Sequence, residues 1–444
     1  MRLLRSRTVH VALLVLGAIQ VAKIAYLLAP PRVYEKDFRQ DYALARSFLE
    51  GRPPYETLPV LFARYVGPDG TSLPSPSSHP PSAIPLFLPL AGVSYPVAAV
   101  LWTATCLFLF GMTVRTLVRE LGWRPSAFDV AKVVALLLLW PPVILDLTLG
   151  QLTIPLLACI VAAWADVRAG RDARAGVWLG LGAALKLLPA LLVVALLLRR
   201  RWRAGLTAVV TFAAFAAPVT LRFGPAIWSD YFGRVLPAVT AIYQDICLNL
   251  SLYGLLYRHL VGHDFMPPLF PAVPFGPVVL IAQLGVLSAA VALAWRAGDW
   301  TDRHTLDRAW SLLLVAMLLA SPLTWHLSFV LLVLPLAVFA RQYAGGQTVA
   351  RPHRVIHGLV CCGLTVPFEL TAAGTRTLAG GLGWHAGAPL PAASGLVLSL
   401  PTVALVGAFV VIAIALPSSV TERSTDVRSV EVPACSAALP VSVG

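Results

Sequence analysis

Long apolar runs alternate with short polar or basic intervals along nearly the whole chain. The runs fall at residues 9–28, 84–118, 130–140, 152–164, 176–198, 206–221, 273–295, 309–320, 327–339, 355–370 and 396–416. A helix needs ~20 apolar residues to cross a bilayer, so the shorter runs predict half-helices and the longest predicts more than one element. Run 84–118 divides at Tyr95-Pro96, which predicts either a re-entrant piece plus a span or two spans. Run 176–198 lies between two basic intervals, 168–174 and 199–203. Basic loops prefer the cytoplasmic side, so this run is expected to go out and return, turning at Lys186-Leu187-Leu188-Pro189. Broken helices at membrane depth are tolerated where they line a cavity. The pattern predicts an all-α polytopic membrane protein with about twelve transmembrane or half-membrane passes, on the ~20-residue yardstick. Residues 1–416 form one helical domain with external loops 31–82 and 222–271, and both termini lie inside. The first loop contains a short helix over 41–51, with Tyr42, Ala45, Phe48 and Leu49 on one side, lying at the membrane surface. The polar tail 417–444 is expected to be disordered.

Composition agrees. The 444 residues are 58% apolar and 12% charged, with a mean hydropathy of +0.78, above the roughly 45–50% apolar content of soluble domains. A net charge of +13 is distributed in short runs between apolar segments and forms no nucleic-acid patch, the pattern of the positive-inside rule. The six cysteines lie mostly within apolar runs without metal-ligand spacing and read as small core residues. Residues 1–7 precede an apolar run too long for a signal-peptide core, which reads as a start-anchored first helix.

One stretch breaks the pattern. Between Glu35 and Tyr55 the chain concentrates acids, bases and tyrosines, including Asp37, Asp41, Tyr42 and Tyr55. Charge beside a membrane is costly unless it meets water, a partner or a substrate, and the stretch reads as the catalytic loop of a membrane enzyme. Asp37 and Asp41 are one helical turn apart; either a solvated acidic pair at a helix start or a base for an attacking hydroxyl fits that spacing. Lys186, at the tip of an apolar hairpin, calls for an anionic partner. Asp146 and Gln151 lie at another interrupted segment, and His326 follows a Ser-Pro break, where a packed histidine and a phosphate ligand are both open. On this topology Asp37, Gln151, Lys186, Asn249 and His326 gather at the outer face.

The arrangement Asp37-Phe38-x-x-x-Tyr42-Ala43-x-Ala45-x-x-x-Leu49-x-Gly51-x-x-Pro54-Tyr55 resembles the first-loop motif of glycosyltransferase family 87. Pro80-Pro81, Gly150-Gln151, Lys186-x-x-Pro189, Asn249-x-Ser251 and Ser321-Pro322-x-x-Trp325-His326 resemble further stretches of that family in order. Two positions depart from it: His79, where tyrosine is common, and Asp41, where an aromatic is more usual.

The resemblance implies a GT-C-fold enzyme of the plasma membrane, with its active site on the periplasmic or extracellular side. It would take a mannosyl residue from a polyprenyl-phosphate donor and pass it with inversion to a glycolipid or lipoglycan acceptor, needing no cofactor. Asp37 would be the base, with Asp41 as alternative, and His326 and Lys186 would stabilise the leaving phosphate. Gln151, Asn249, Ser251, Tyr42, Tyr55, His79 and Trp325 would contact substrate. An arabinofuranosyl donor is the close competitor. A transporter or lipid flippase is the competitor from another class, against which stand the absence of an inverted repeat and the gathering of polar residues on one face.

Overall fold

The structure, a computed structural model, describes residues 7–67, 74–344 and 351–416. Its first third contains α1 (Arg7–Leu27), α2 (Arg39–Glu50), α3 (Leu58–Tyr65), α4 (Ile84–Ala91) and α5 (Tyr95–Glu120). There follow α6 (Ala127–Leu138), α7 (Pro141–Leu149), α8 (Thr153–Arg168), α9 (Asp172–Leu185), α10 (Ala190–Leu198) and α11 (Trp202–Phe223). The interval 224–274 holds α12 (Ala226–Asp230), α13 (Leu236–Tyr243) and α14 (Leu252–Leu260), and α15 (Phe275–Arg296) follows it. The chain ends with α16 (Arg303–Ala320), α17 (Val333–Ala344), α18 (Arg351–Thr365), α19 (Phe368–Gly381), α20 (Gly395–Leu398) and α21 (Leu400–Ala415). The extended pairing among the described residues is a bridge between His263 and Met266. The tail 417–444 lies outside the described residues.

Among the described residues four helices, α1, α5, α11 and α15, are long and apolar enough to cross a membrane, and up to seven spans result if each of three bent pairs counts as one. Their outward faces are apolar: Leu221 is 87% exposed and Ile281 71%. In water such faces would be an aggregation hazard; against acyl chains they are satisfied. The opposite extreme is the centre. Thirteen of the sixteen residues of α8 and fourteen of the eighteen of α16 are buried, which marks these two as the inner pillar. Several of their polar groups pair with one another: Asp307 accepts from Trp164 Nε1 at 2.9 Å and from Arg168 at 2.5–2.6 Å, while Arg168 also donates to the Glu120 carbonyl at 2.8 Å. That buried network joins α5, α8 and α16 at one end of the bundle.

The long run 84–118 resolves into the short α4, a break at Gly92–Ser94 and the 26-residue α5, whose Pro96 occupies the first turn, where a missing N–H does no harm. Run 176–198 is a hairpin. Arg201 returns to within 2.8 Å of Asp172, so the chain leaves and re-enters the same end of the bundle, with Lys186 at the far turn. The base of the hairpin is sealed by glycines, because α9 and α11 lie too close for side chains between them. A Cβ on Gly180 would sit 2.4 Å from the Ala208 carbonyl oxygen, whereas one on Gly285 would meet nothing within 4 Å. Gly180→Val is therefore expected to destabilise by ~2 kcal/mol or more, read as a lowered thermal midpoint in detergent. Gly285→Val should leave that midpoint nearly unchanged.

Helix α2 corrects an expectation. It forms where the spacing predicts and ends at Gly51, whose φ of 72° suits a left-handed cap. It does not lie with one apolar side on a surface, because α3 and α4 both pack against it. Tyr42, Ala43, Leu44, Ala45 and Ser47 are buried while Leu49 is 49% exposed.

Candidate active site

The loop before α2 is fixed by aromatic packing. Phe38, fully buried, stacks on Trp102 at 5.5 Å and on Tyr95 at 6.2 Å. Its backbone N–H donates to the Leu149 carbonyl at 3.2 Å, and the Lys36 ammonium donates to the Thr148 carbonyl. The end of α7 receives these contacts at Gly150, which has φ 72° and where a Cβ would fall 2.9 Å from that of Phe38. Trp102 Nε1 completes the joint, donating to the Gly150 carbonyl at 2.8 Å. The two residues flanking this joint, Asp37 and Gln151, meet: Gln151 Nε2 donates to Asp37 Oδ2 at 2.5 Å.

Both face a cavity of about 200 Å³ also lined by Gln40, His79, Lys186, Tyr243 and Trp325. Five of the residues singled out from sequence thus share one space: Asp37, His79, Gln151, Lys186 and Trp325. Lys186 arrives at the hairpin tip and sits in the field of Asp146, Asp41 and Asp37. Asp146, fully buried, accepts from the Thr153 and Ile154 N–H groups at 3.2 Å each, capping α8 while it serves as a counter-charge. Burial raises the Asp37 carboxyl above its ordinary range, opposed by the Gln151 hydrogen bond and by the nearby Arg39 and His79. A carboxylate so placed is a stronger base than one in water.

The other predicted residues stand behind the walls. Asp41 is buried, with Oδ1 2.6 Å from His79 Nδ1. Tyr55 donates to the His79 carbonyl at 2.8 Å, and Tyr42 donates to the Val93 carbonyl at 2.8 Å. Asn249 is a clasp: its Nδ2 donates to the Gln244 and Pro322 carbonyls at 2.8 Å, and its Oδ1 accepts from the Ser251 and Thr324 N–H groups at 3.1 Å. Ser251 caps α14 through Gly254 N–H. The cavity wall takes Trp325 and Leu327 but not His326 between them. That residue is buried against Phe329, with Nε2 unpaired among the described residues.

Sequence reasoning passed over Gln40 and the Ser75–Ser78 segment. That segment has no periodicity to read. It is placed by tertiary contacts alone: Ser75 to Leu58 N–H, Ser77 to Gln40, and Ser78 to the Tyr231 hydroxyl.

The family model of glycosyltransferase family 87 matches residues 78–322, more than half of the chain. The chain belongs to glycosyltransferase family 87. The family match takes in His79, Gln151 and Lys186; Asp37 precedes it and Trp325 follows it. Among proteins similar to it is a polyprenol-phosphate-mannose-dependent alpha-(1-2)-phosphatidylinositol pentamannoside mannosyltransferase of Mycobacterium tuberculosis. The two are 31% identical over 358 residues, covering 77% of this chain and 75% of that protein. The enzyme of the same description from Mycolicibacterium smegmatis is 29% identical over 351 residues, 77% and 79% of the two chains. A polyprenol-phosphate-mannose-dependent alpha-(1-2)-phosphatidylinositol mannoside mannosyltransferase of Mycobacterium tuberculosis is 29% identical over 345 residues, 72% and 74% of the two.

Proposed function

We propose that this protein transfers a mannosyl residue from a polyprenyl-phosphate donor to a phosphatidylinositol mannoside or related glycolipid. The observation carrying this reading is the meeting, in one cavity, of a half-buried carboxylate at Asp37 and an ammonium at Lys186. A sugar phosphate asks for those two charges: a base for the acceptor hydroxyl and a cation for the departing phosphate. Asp37 takes the hydroxyl proton as the acceptor oxygen attacks the anomeric carbon. The bond from that carbon to the phosphate oxygen breaks on the opposite side, and the configuration inverts. Asp41 stands behind His79, so a single carboxylate faces the sugar, which supports one displacement over two.

The donor's tail has a path. A second cleft of about 540 Å³ runs between α5, α8 and α9 from Trp102 and Leu185, beside the Lys186 turn, to Arg119, Arg171 and Arg174. Its walls include Leu86, Phe108, Met112 and Leu181, an apolar surface suited to an isoprenoid chain. This reading keeps about twelve transmembrane or half-membrane passes, on the ~20-residue yardstick. With both termini in the cytoplasm, that reading puts Asp37 and Lys186 on the periplasmic side of the plasma membrane.

The deciding experiment is transfer of labelled mannose from polyprenyl-phosphate-mannose to phosphatidylinositol mannosides by membranes containing the protein. Transfer is expected. Transfer of arabinose in its place would reassign the donor, and no transfer with any lipid-linked sugar would favour a transporter.

A further inference from the structure

The mechanism just given leaves one buried pair in the cavity wall unused. His79 is 3% exposed and Asp41 1%. The 2.6 Å contact between them occupies the Nδ1 of the ring, so Nε2 is the ring atom left for the cavity that His79 lines. The backbone around the histidine is held on three sides. Tyr55 donates to its carbonyl at 2.8 Å, Tyr231 donates to the Ser78 carbonyl at 2.8 Å, and the His79 N–H reaches Ser77 Oγ at 3.3 Å. Asp41 Oδ2 is buried with no hydrogen-bond partner among the described residues, so the carboxylate carries unspent negative potential toward the ring. Three carboxylates, Asp37, Asp41 and Asp146, act on the Lys186 ammonium, and Arg39 and His79 both act on Asp37. A carboxylate bound to one imidazole nitrogen orients the ring and stabilises its protonated form.

We propose that His79 is the acid that protonates the departing phosphate, with Asp41 the positioning residue that holds it for that task. This rests on the mannosyl-phosphate reading above. The step balances. The acceptor hydroxyl proton goes to Asp37, the acceptor oxygen bonds to the anomeric carbon, and the carbon–oxygen bond to phosphate breaks with its electron pair on that oxygen. The same oxygen takes the proton from His79 Nε2, giving the polyprenyl hydrogen phosphate and a neutral imidazole, which solvent reprotonates after Asp37 gives up its own proton. A phosphate monoester has a second pKa of about 6, so the proton matters in the range where imidazole changes charge. The groups that share the cavity or touch the segment are Asp37, Asp41, Lys186, Tyr55, Tyr231 and Tyr243.

The test uses the full chain in lipid nanodiscs, with polyprenyl-phosphate-mannose and phosphatidylinositol mannoside, and pH-rate profiles for wild type, His79→Gln, Asp41→Asn and Asp41→Glu. The wild-type rate is expected to fall at high pH, in a limb that depends on the residue at position 79. His79→Gln should lose that alkaline limb and ~10²-fold in kcat, with the donor KM changed less than ~3-fold. Asp41→Asn should lower kcat ~10-fold, and Asp41→Glu should recover part of it. An alkaline limb unchanged in position and depth in His79→Gln overturns the proposal; a limb left by Lys186 alone is expected to differ from the wild-type one. So does a loss confined to KM and thermal midpoint with the profile unchanged, which would make the pair a structural one. A wild type that moves no mannose overturns the donor reading and this proposal together; an active wild type beside an intact limb in His79→Gln overturns this proposal alone.

Discussion

Asp37→Asn is expected to lower mannose transfer by ~10³-fold in kcat, within the range for loss of a general base, with donor binding retained. The amide keeps the size of the side chain and an oxygen for Gln151 Nε2, so the joint of Phe38, Trp102 and Gly150 should stay intact. Turnover in membranes matched for protein content is the check; an Asn variant with wild-type turnover would remove Asp37 from the chemistry. The pH profile carries a second mark of the same residue. The active form is the carboxylate, which disappears as pH falls, and burial raises the Asp37 carboxyl. The acid limb of the rate should therefore lie above the ordinary carboxylate range. Gln151 stabilises the charged form by its hydrogen bond. Gln151→Leu should move that limb to still higher pH.

Lys186→Met should lower kcat/KM by ~10²–10³-fold, the scale of losing one preorganised charge at a developing anion. Its hydrogen-bonding surroundings give little else to lose, since the residue forms no salt bridge within 4 Å among the described residues and acts through its field. Binding of polyprenyl phosphate itself should weaken in parallel, because the proposed role has the ammonium meet the phosphate of donor and product alike. Lys186→Arg should keep part of the binding while losing turnover, the guanidinium being planar and larger. Equal affinity of wild type and Lys186→Met for polyprenyl phosphate would place the charge elsewhere.

Much of this site could be read from the order of residues. Lys186 was legible because charge rules make run 176–198 a hairpin, and a lysine at its tip has few other reasons to exist. Asp37 and Gln151 stood out as polar residues next to breaks in apolar runs, but the aromatic joint that brings them together depends on Trp102, which looks like any interface tryptophan. Asn249 and Ser251 were legible as important polar residues and not by role. An amide spacing that ligates substrate and one that clasps two backbone segments look the same along a chain. Gln40 and Ser75–Ser78 gave no signal, since an irregular segment takes its place only from partners distant in sequence. The two departures from the family pattern, Asp41 and His79, are in direct contact: each residue alone was an oddity, and the pair is a unit.

Asn249 reaches across to the Pro322 carbonyl and the Thr324 N–H, while Leu250 N–H donates to the Thr324 carbonyl at 2.7 Å. The stretch that delivers Trp325 to the cavity is thus buttoned to the segment carrying Tyr243, whose ring lies 6.0 Å from the indole. That wall of the cavity is tied to residues 244–251 by these hydrogen bonds. The cavity wall and the segment leading to α14 therefore share one set of hydrogen bonds, and a substitution at Asn249 is expected to disturb both.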